Sequence, residues 1–298
     1  MQPSIFDEIK RFFLKGSVLA RLIGINVGAF LLVSIIRVWF FLWNNHGIGE
    51  ILAHWLGVPS NLEVVLRRPW TLFTYMFLHF EFFHILFNMI VLYVGGRLFS
   101  DFIGPRRLTG TYILGGLVGA LFYIISFNIF PVFEDVVQRA VAIGASASVL
   151  AIFVAIAAYM PNYQLPLILL GRIRLKYIAL FFVVIDLISI DQGNPGGHLA
   201  HLGGALWGFL YAGMLKKGKD PALWVGNWVK ALGSIFQPKP RMRVEYRSER
   251  PKTDEEYNIE RQERQQRIDK ILDKISKKGY DSLSREEKEL LFKAGNKR

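Results

Sequence analysis

The sequence predicts an all-α membrane protein, a bundle of six transmembrane helices followed by a small helical C-terminal extension. Three observations lead there. The 298 residues are 52% hydrophobic, include 24 Phe and have a mean hydropathy of +0.30, too apolar for an ordinary soluble domain of this length. Apolar runs near 19–43, 81–99, 108–127, 145–160, 177–190 and 198–215 approach the roughly 20 helical residues that cross about 30 Å of hydrocarbon. Basic residues then alternate between the connecting segments in the pattern of a polytopic protein.

The first run is a full-length span with no A-x-A-like site after it, so a cleavable signal is not expected. Lys10, Arg11, Lys15 and Arg21 precede it; Arg97, Arg106 and Arg107 lie between the second and third runs; Arg172, Arg174 and Lys176 lie between the fourth and fifth. The opposite loops carry Arg67, Arg68 and Arg139, partly balanced by Glu50, Glu63, Glu134, Asp135 and Asp191. The positive-inside rule therefore places both termini in the cytoplasm. A net charge of +12 follows from this bias and suits contact with anionic lipid, so nucleic acid is not required as a partner. With no Cys, disulfides, thiol nucleophiles and cysteine metal sites are excluded.

Residues 44–71 read as a long outward loop whose stretch Ile51 to Leu56 is amphipathic and suits the membrane interface, ending at Gly57 and Pro59. Pro161 and Pro166 close the fourth run and keep 161–166 from being helical. The last three runs are short, which implies spans that stop below the surface and leave a wet pocket. Three parts are expected: a membrane domain over 1–215, an interfacial helix and basic linker over 216–254, and a helical hairpin over 255–298. Asp220 with Pro221 signals a helix start, and Trp224, Val225, Trp228, Val229, Leu232 and Phe236 recur at helical spacing. In the hairpin, Ile268, Ile271, Leu272 and Ile275 share one face until Gly279, and Ser284 with Glu287 forms a capping box. With no chemistry-bearing cluster, the hairpin reads as a docking or stability element.

Polar groups inside spans cost several kcal/mol unless partnered, so each is a functional candidate. Singled out among them are His84 and Asn88 in the second run, Ser146 and Ser148 in the fourth, Asp186 in the fifth, and His198 and His201 in the sixth. Even-numbered spans run from outside to inside, so His84, Ser146 and His201 fall near the outer face. Asp186, late in an odd-numbered span, reaches the same depth. Gly144 and Ala147 leave room around Ser146, and the N–H groups of a helix start can stabilise an oxyanion. The same small residues also suit close helix packing: Ala147, Ala151 and Ala155 form one ridge, and Gly204, Gly208 and Ala212 form another. Pressing these ridges together would bring Ser146 to His201. His198 and His201 share a helical face, with His79 and His84 as further imidazoles, but His-Glu-x-x-His does not occur, and no metal is assigned.

Tyr75 to His79, His84 to Met89, Gly144-Ala145-Ser146-Ala147 and Ala200-His201-Leu202-Gly203-Gly204, in this order, resemble the rhomboid family of intramembrane serine proteases over about residues 55–215. The tail lies outside that core and resembles extensions of some bacterial rhomboids. The resemblance implies a Ser–His dyad without an essential acid, with Ser146 as nucleophile and His201 as base. It also implies an oxyanion site from His84, Asn88 and the Ser146 N–H, no cofactor, and transmembrane protein substrates in a lipid bilayer. A bacterial cytoplasmic membrane is the expected location. Two departures stand out: the family's Trp-Arg is Trp70-Thr71 here, and the aromatic residue one turn after the serine is Leu150. Asp186 is either a third member orienting His201 or His198, or a structural partner. His79 and His198 read as supporting or packing residues, and Arg37 as a side chain snorkelling to the surface. Competing readings are a catalytically silent helix-binding member of the fold and a transporter with a proton relay through His84, His198, His201 and Asp186.

Overall fold

The structure is a computed structural model that describes residues 16–167, 171–235 and 253–295. Lys10, Arg11, Lys15, Phe236 and most of the linker expected over 237–254 lie outside them. The chain divides into two compact units, Met1–Gln237 and Pro238–Arg298.

In the first unit, α1 (Val18–Leu42) opens at Ser17, whose hydroxyl accepts from the Ala20 N–H. The following loop holds three short helices, α2 (Ile48–Leu56), α3 (Leu62–Arg67) and α4 (Thr71–Thr74). Between α2 and α3, β1 (Val58–Pro59) pairs antiparallel with β2 (Val141–Ala142), tying this loop to the segment before the fourth apolar run. Arg68 and Trp70 also donate to the His54 and Trp55 carbonyls, with the Arg68 guanidinium 4.3 Å over the Trp55 ring.

Two long helices follow, α5 (Phe82–Phe102) and α6 (Leu108–Ile129). The tail of the loop is bound to α6: Tyr112 Oη donates to the Met76 carbonyl at 2.8 Å and Tyr75 Oη to the Gly116 carbonyl at 2.5 Å. Arg37 does not simply snorkel, because its Nη1 donates to the Phe80 carbonyl at 3.0 Å, anchoring the start of α5 to α1.

The fourth run forms α7 (Ser146–Tyr159), buried continuously from Ala147 to Ala157. After it, β3 (Gln164–Leu167) and β4 (Gly171–Arg174) pair antiparallel, Gln164 opposite Arg174. Pro161 and Pro166 explain why this stretch is not helical, but the hairpin itself carries no local pattern. Then come α8 (Leu175–Ile188), α9 (Pro195–Lys216) and α10 (Pro221–Ile235). Asn194 caps α9 through the Gly197 N–H, with Pro195 in the first turn.

Helices thus occupy each of the six apolar runs. Among the described residues three are long and apolar enough to cross a membrane: Val18–Leu42, Phe82–Phe102 and Pro105–Ile129. The helices α7 and α8 have 14 residues each, about 21 Å at 1.5 Å per residue. The helix α9 has 22 residues but is diluted by Gly and His.

Small residues decide where α7 sits. A Cβ on Gly204 would lie 2.8 Å from the Ala147 carbonyl carbon, and one on Gly119 would lie 2.8 Å from the Ala200 oxygen. The backbones of α6, α7 and α9 therefore touch, as the alanine and glycine ridges suggest. Gly204→Val is expected to cost about 1–3 kcal/mol through overpacking, read as a lower midpoint in SDS-titration unfolding; an unchanged midpoint would mean the two helices can separate freely.

At the other end of the unit, Asp220 binds Arg107 Nε, accepts from Tyr211 Oη at 2.9 Å and caps α10 through the Leu223 N–H at 3.0 Å. Burial pulls the Asp220 carboxyl upward, but Arg107, the Leu223 N–H and the Tyr211 hydroxyl outweigh it and hold it below the ordinary carboxylate range. A depressed folded-state value means this stabilisation is present above the ordinary range and is lost as pH falls through the folded value. Asp220→Asn should expose α10 to hydrogen exchange already at neutral pH, and the wild type should approach that behaviour only in acid. Equal protection in both proteins at neutral pH would disprove the clasp.

In the second unit, Thr253 and Glu256 form a capping box that starts α11 (Asp254–Lys278), which ends at Gly279 with φ 78°. Ser284 and Glu287 cap α12 (Arg285–Gly295) as the spacing predicts, and Lys274 Nζ joins the two helices through Glu287 at 2.8 Å.

Candidate active site

Ser146 is the first residue of α7, reached through Gly144 at φ 121°, a left-handed conformation that suits glycine. A side chain there would also collide with His84, since a Cβ on Gly144 would lie 2.8 Å from His84 Cε1. The turn is held from both sides. Gly144 N donates to the Tyr75 carbonyl at 2.9 Å, and Ala145 N donates to His79 Nε2 at 3.3 Å. His79, fully buried, packs edge-on against His84 with ring centroids 5.1 Å apart. It therefore supports both the serine turn and the neighbouring imidazole.

The close contact of α7 with α9 brings His201 Nε2 to 2.5 Å from Ser146 Oγ. On its other side, His201 Nδ1 lies 2.7 Å from Asp186 Oδ1, and His198 Nδ1 lies 2.8 Å from the same oxygen. Asp186 is buried, so a carboxylate there relies on these two imidazoles. With Nδ1–H of His201 donating to Asp186, the lone pair of the ring sits on Nε2, facing the serine hydroxyl.

Asp186, His198 and His201 are also a group whose ligand atoms lie within 4.8 Å of one another and could hold a metal ion. The 2.7 and 2.8 Å separations are direct hydrogen bonds made by the carboxylate itself.

A cavity of about 380 Å³ opens beside the serine, lined by His84 and Asn88 of α5, Ser146, and Asp186 and His201. Its apolar walls include Phe83, Val91 and Phe182, which were not singled out from the sequence. Such residues look like lipid-facing side chains until the helices are assembled. Asn88 Nδ2 donates to the His84 carbonyl one turn back at 2.9 Å, which occupies one of its two amide hydrogens. Ser148, the other serine of the motif, points away and is buried against α6, where its Oγ would meet a Cβ on Gly116.

Fold and site together define a helical membrane bundle with a serine, a histidine and an aspartate in one chain of hydrogen bonds beside a cavity. Residues 66–218, half of the sequence, match the family model of the Rhomboid domain, and the chain belongs to the rhomboid family. Residues 252–293 match a family of unknown function (DUF6576). The chain is 30% identical over 161 residues to RHOMBOID-like protein 12, mitochondrial, of Arabidopsis thaliana, covering 51% of this chain and 48% of that protein. It is 28% identical over 141 residues to Presenilin-associated rhomboid-like protein A, mitochondrial, of Danio rerio, covering 46% and 35%. With RHOMBOID-like protein 7 of Arabidopsis thaliana it shares 29% over 175 residues, covering 58% and 51%. The chain thus spans between a third and about half of the length of these relatives. Two of the names are mitochondrial and two of the proteins are from a plant, so the bacterial membrane expected from the sequence draws no support from them.

Proposed function

We propose that the protein is an intramembrane serine endopeptidase that cleaves transmembrane segments of other proteins, with Ser146 as nucleophile and His201 as general base. The 2.5 Å separation between Ser146 Oγ and His201 Nε2 is the observation that carries this reading. All six apolar helices cross the bilayer in it, with both termini on the side of the basic loops. The helix α7, about 21 Å long against roughly 30 Å of hydrocarbon, stops short and leaves Ser146 below the outer surface with access for water.

Ser146 Oγ attacks the scissile carbonyl carbon while His201 Nε2 takes its proton. The tetrahedral oxyanion is met by the Ser146 N–H in the first turn of α7, His84 and the second amide hydrogen of Asn88. The C–N bond then breaks as His201 returns the proton to the leaving amine. Water attacks the acyl ester, His201 takes one of its protons, and that proton passes to Ser146 Oγ as the carboxylate departs. Asp186 orients the ring and stabilises the imidazolium formed in both halves. Substrate helices must unwind to offer a peptide bond, which favours Gly, Ala, Ser or Pro near the outward end of the span.

The test is labelling of detergent-purified protein by a fluorophosphonate probe. Wild type should label and Ser146→Ala should not; undiminished labelling of Ser146→Ala would assign the nucleophile elsewhere, and absence of labelling in an active wild type would exclude serine chemistry. Removing the imidazole donor by His84→Ala is expected to slow cleavage of a reconstituted transmembrane substrate by about 10²–10³. A loss below about threefold would remove His84 from the oxyanion site.

A further inference from the structure

Away from the candidate site, α7, α8 and α9 enclose a second hollow of about 540 Å³. Val154 of α7, Leu180 and Val183 of α8, and Leu202 and Leu206 of α9 form its walls. A neighbouring hollow of about 450 Å³ shares Ala158 and Phe209 with it, so the two adjoin at these residues and are together called the trough. Leu180, Leu206 and Phe209 are 57%, 41% and 63% exposed, which opens the trough sideways to the surroundings of the bundle.

Charge is gathered at one end. Lys176 is the charged residue of the first hollow, and Lys216, Lys217 and Lys219 are those of the second. Lys216 Nζ donates to the Ala158 carbonyl at 3.0 Å, and Lys176 Nζ lies 5.2 Å over the Tyr177 ring. No carboxylate lines either hollow among the described residues. Ala158 and Ser146 are 12 residues apart on α7, about 18 Å along the helix, so this end is remote from the candidate site.

We propose that the trough binds an anionic glycerophospholipid, with its acyl chains along Leu180, Leu206 and Phe209 and its phosphate among Lys176, Lys216, Lys217 and Lys219. An apolar partner helix would leave four ammonium groups without counter-charge, and a second copy would bring four more against them. A zwitterionic lipid fits the groove but offers its phosphate with a compensating cation. An anionic lipid satisfies the apolar walls and the basic end together.

Native mass spectrometry of the full chain, exchanged into mixed micelles of phosphatidylglycerol and phosphatidylcholine, tests the proposal. The wild type should retain one phosphatidylglycerol saturably, with a preference of about tenfold or more over phosphatidylcholine. The combined variant Lys176→Gln, Lys216→Gln, Lys217→Gln, Lys219→Gln should lose the preference. Leu206→Trp, which fills the groove and leaves the lysines in place, should reduce retention of both lipids. Equal retention of the two lipids by the wild type would overturn the proposal, as would a preference that survives the quadruple change. So would competition by glycerol phosphate as effective as that by the whole lipid, since the chains would then contribute nothing.

Discussion

Ser146→Ala and His201→Ala are each expected to lower cleavage of a reconstituted transmembrane substrate by about 10⁶, and the double variant by no more than either alone. The reason lies in the single hydrogen bond they share. A serine without a base is a poor nucleophile, and a base without the hydroxyl has nothing to activate, so the two losses cannot add. Both side chains line an existing cavity, although their hydrogen bonds join α7, α8 and α9, so each variant should lose only about 0.5–1.5 kcal/mol of stability per bond removed. Initial rates at saturating substrate, with thermal unfolding measured alongside, provide the check. Multiplying losses would mean the two residues act independently, and the proposed mechanism would fail.

Asp186→Asn is expected to reduce the turnover rate by up to about 10⁴ with little change in the substrate concentration needed for half-maximal rate. Asparagine keeps the volume but can present an amide hydrogen to His201 Nδ1, which would move the ring proton to Nε2 and remove the lone pair facing Ser146. His198→Ala leaves the bond between Asp186 and His201 in place and should cost far less. If the two variants lose equally, Asp186 holds α8 against α9 rather than orienting the base. The family resemblance implies a dyad without an essential acid, so a large effect of Asp186→Asn alone would mark this chain as using a third member.

The candidate site residues were legible in the sequence because polar groups are rare within apolar runs. Ser146, His201, His84, Asn88, Asp186 and His198 stand out where almost every neighbour is aliphatic or aromatic, and the cost of burying them unpartnered singles them out. Their pairing was less legible. Asp186 could be read as a third member or as a structural partner, and only its distances of 2.7 and 2.8 Å to two imidazoles give it both hydrogen bonds at once. His79 read as a supporting residue, but its bond to the Ala145 N–H depends on a loop that enters the bundle, which no local pattern encodes. Arg37 at the end of an apolar run suggests snorkelling, and the Phe80 carbonyl became its partner because the loop returns beside α1.

Local chemistry wrote much of this protein directly into the chain. Apolar runs, proline breaks and capping residues such as Asp220 and Ser284 act over a few neighbouring residues, so helix positions and the inventory of candidate polar groups follow from sequence. What assembly decided are the contacts between residues far apart in the chain: the β1–β2 pair, the trough between α8 and α9, and the meeting of residues 146, 186 and 201. These depend on how closely whole helices approach. That distance is set by glycine and alanine backbones touching across α6, α7 and α9, a property of three surfaces together rather than of any one segment.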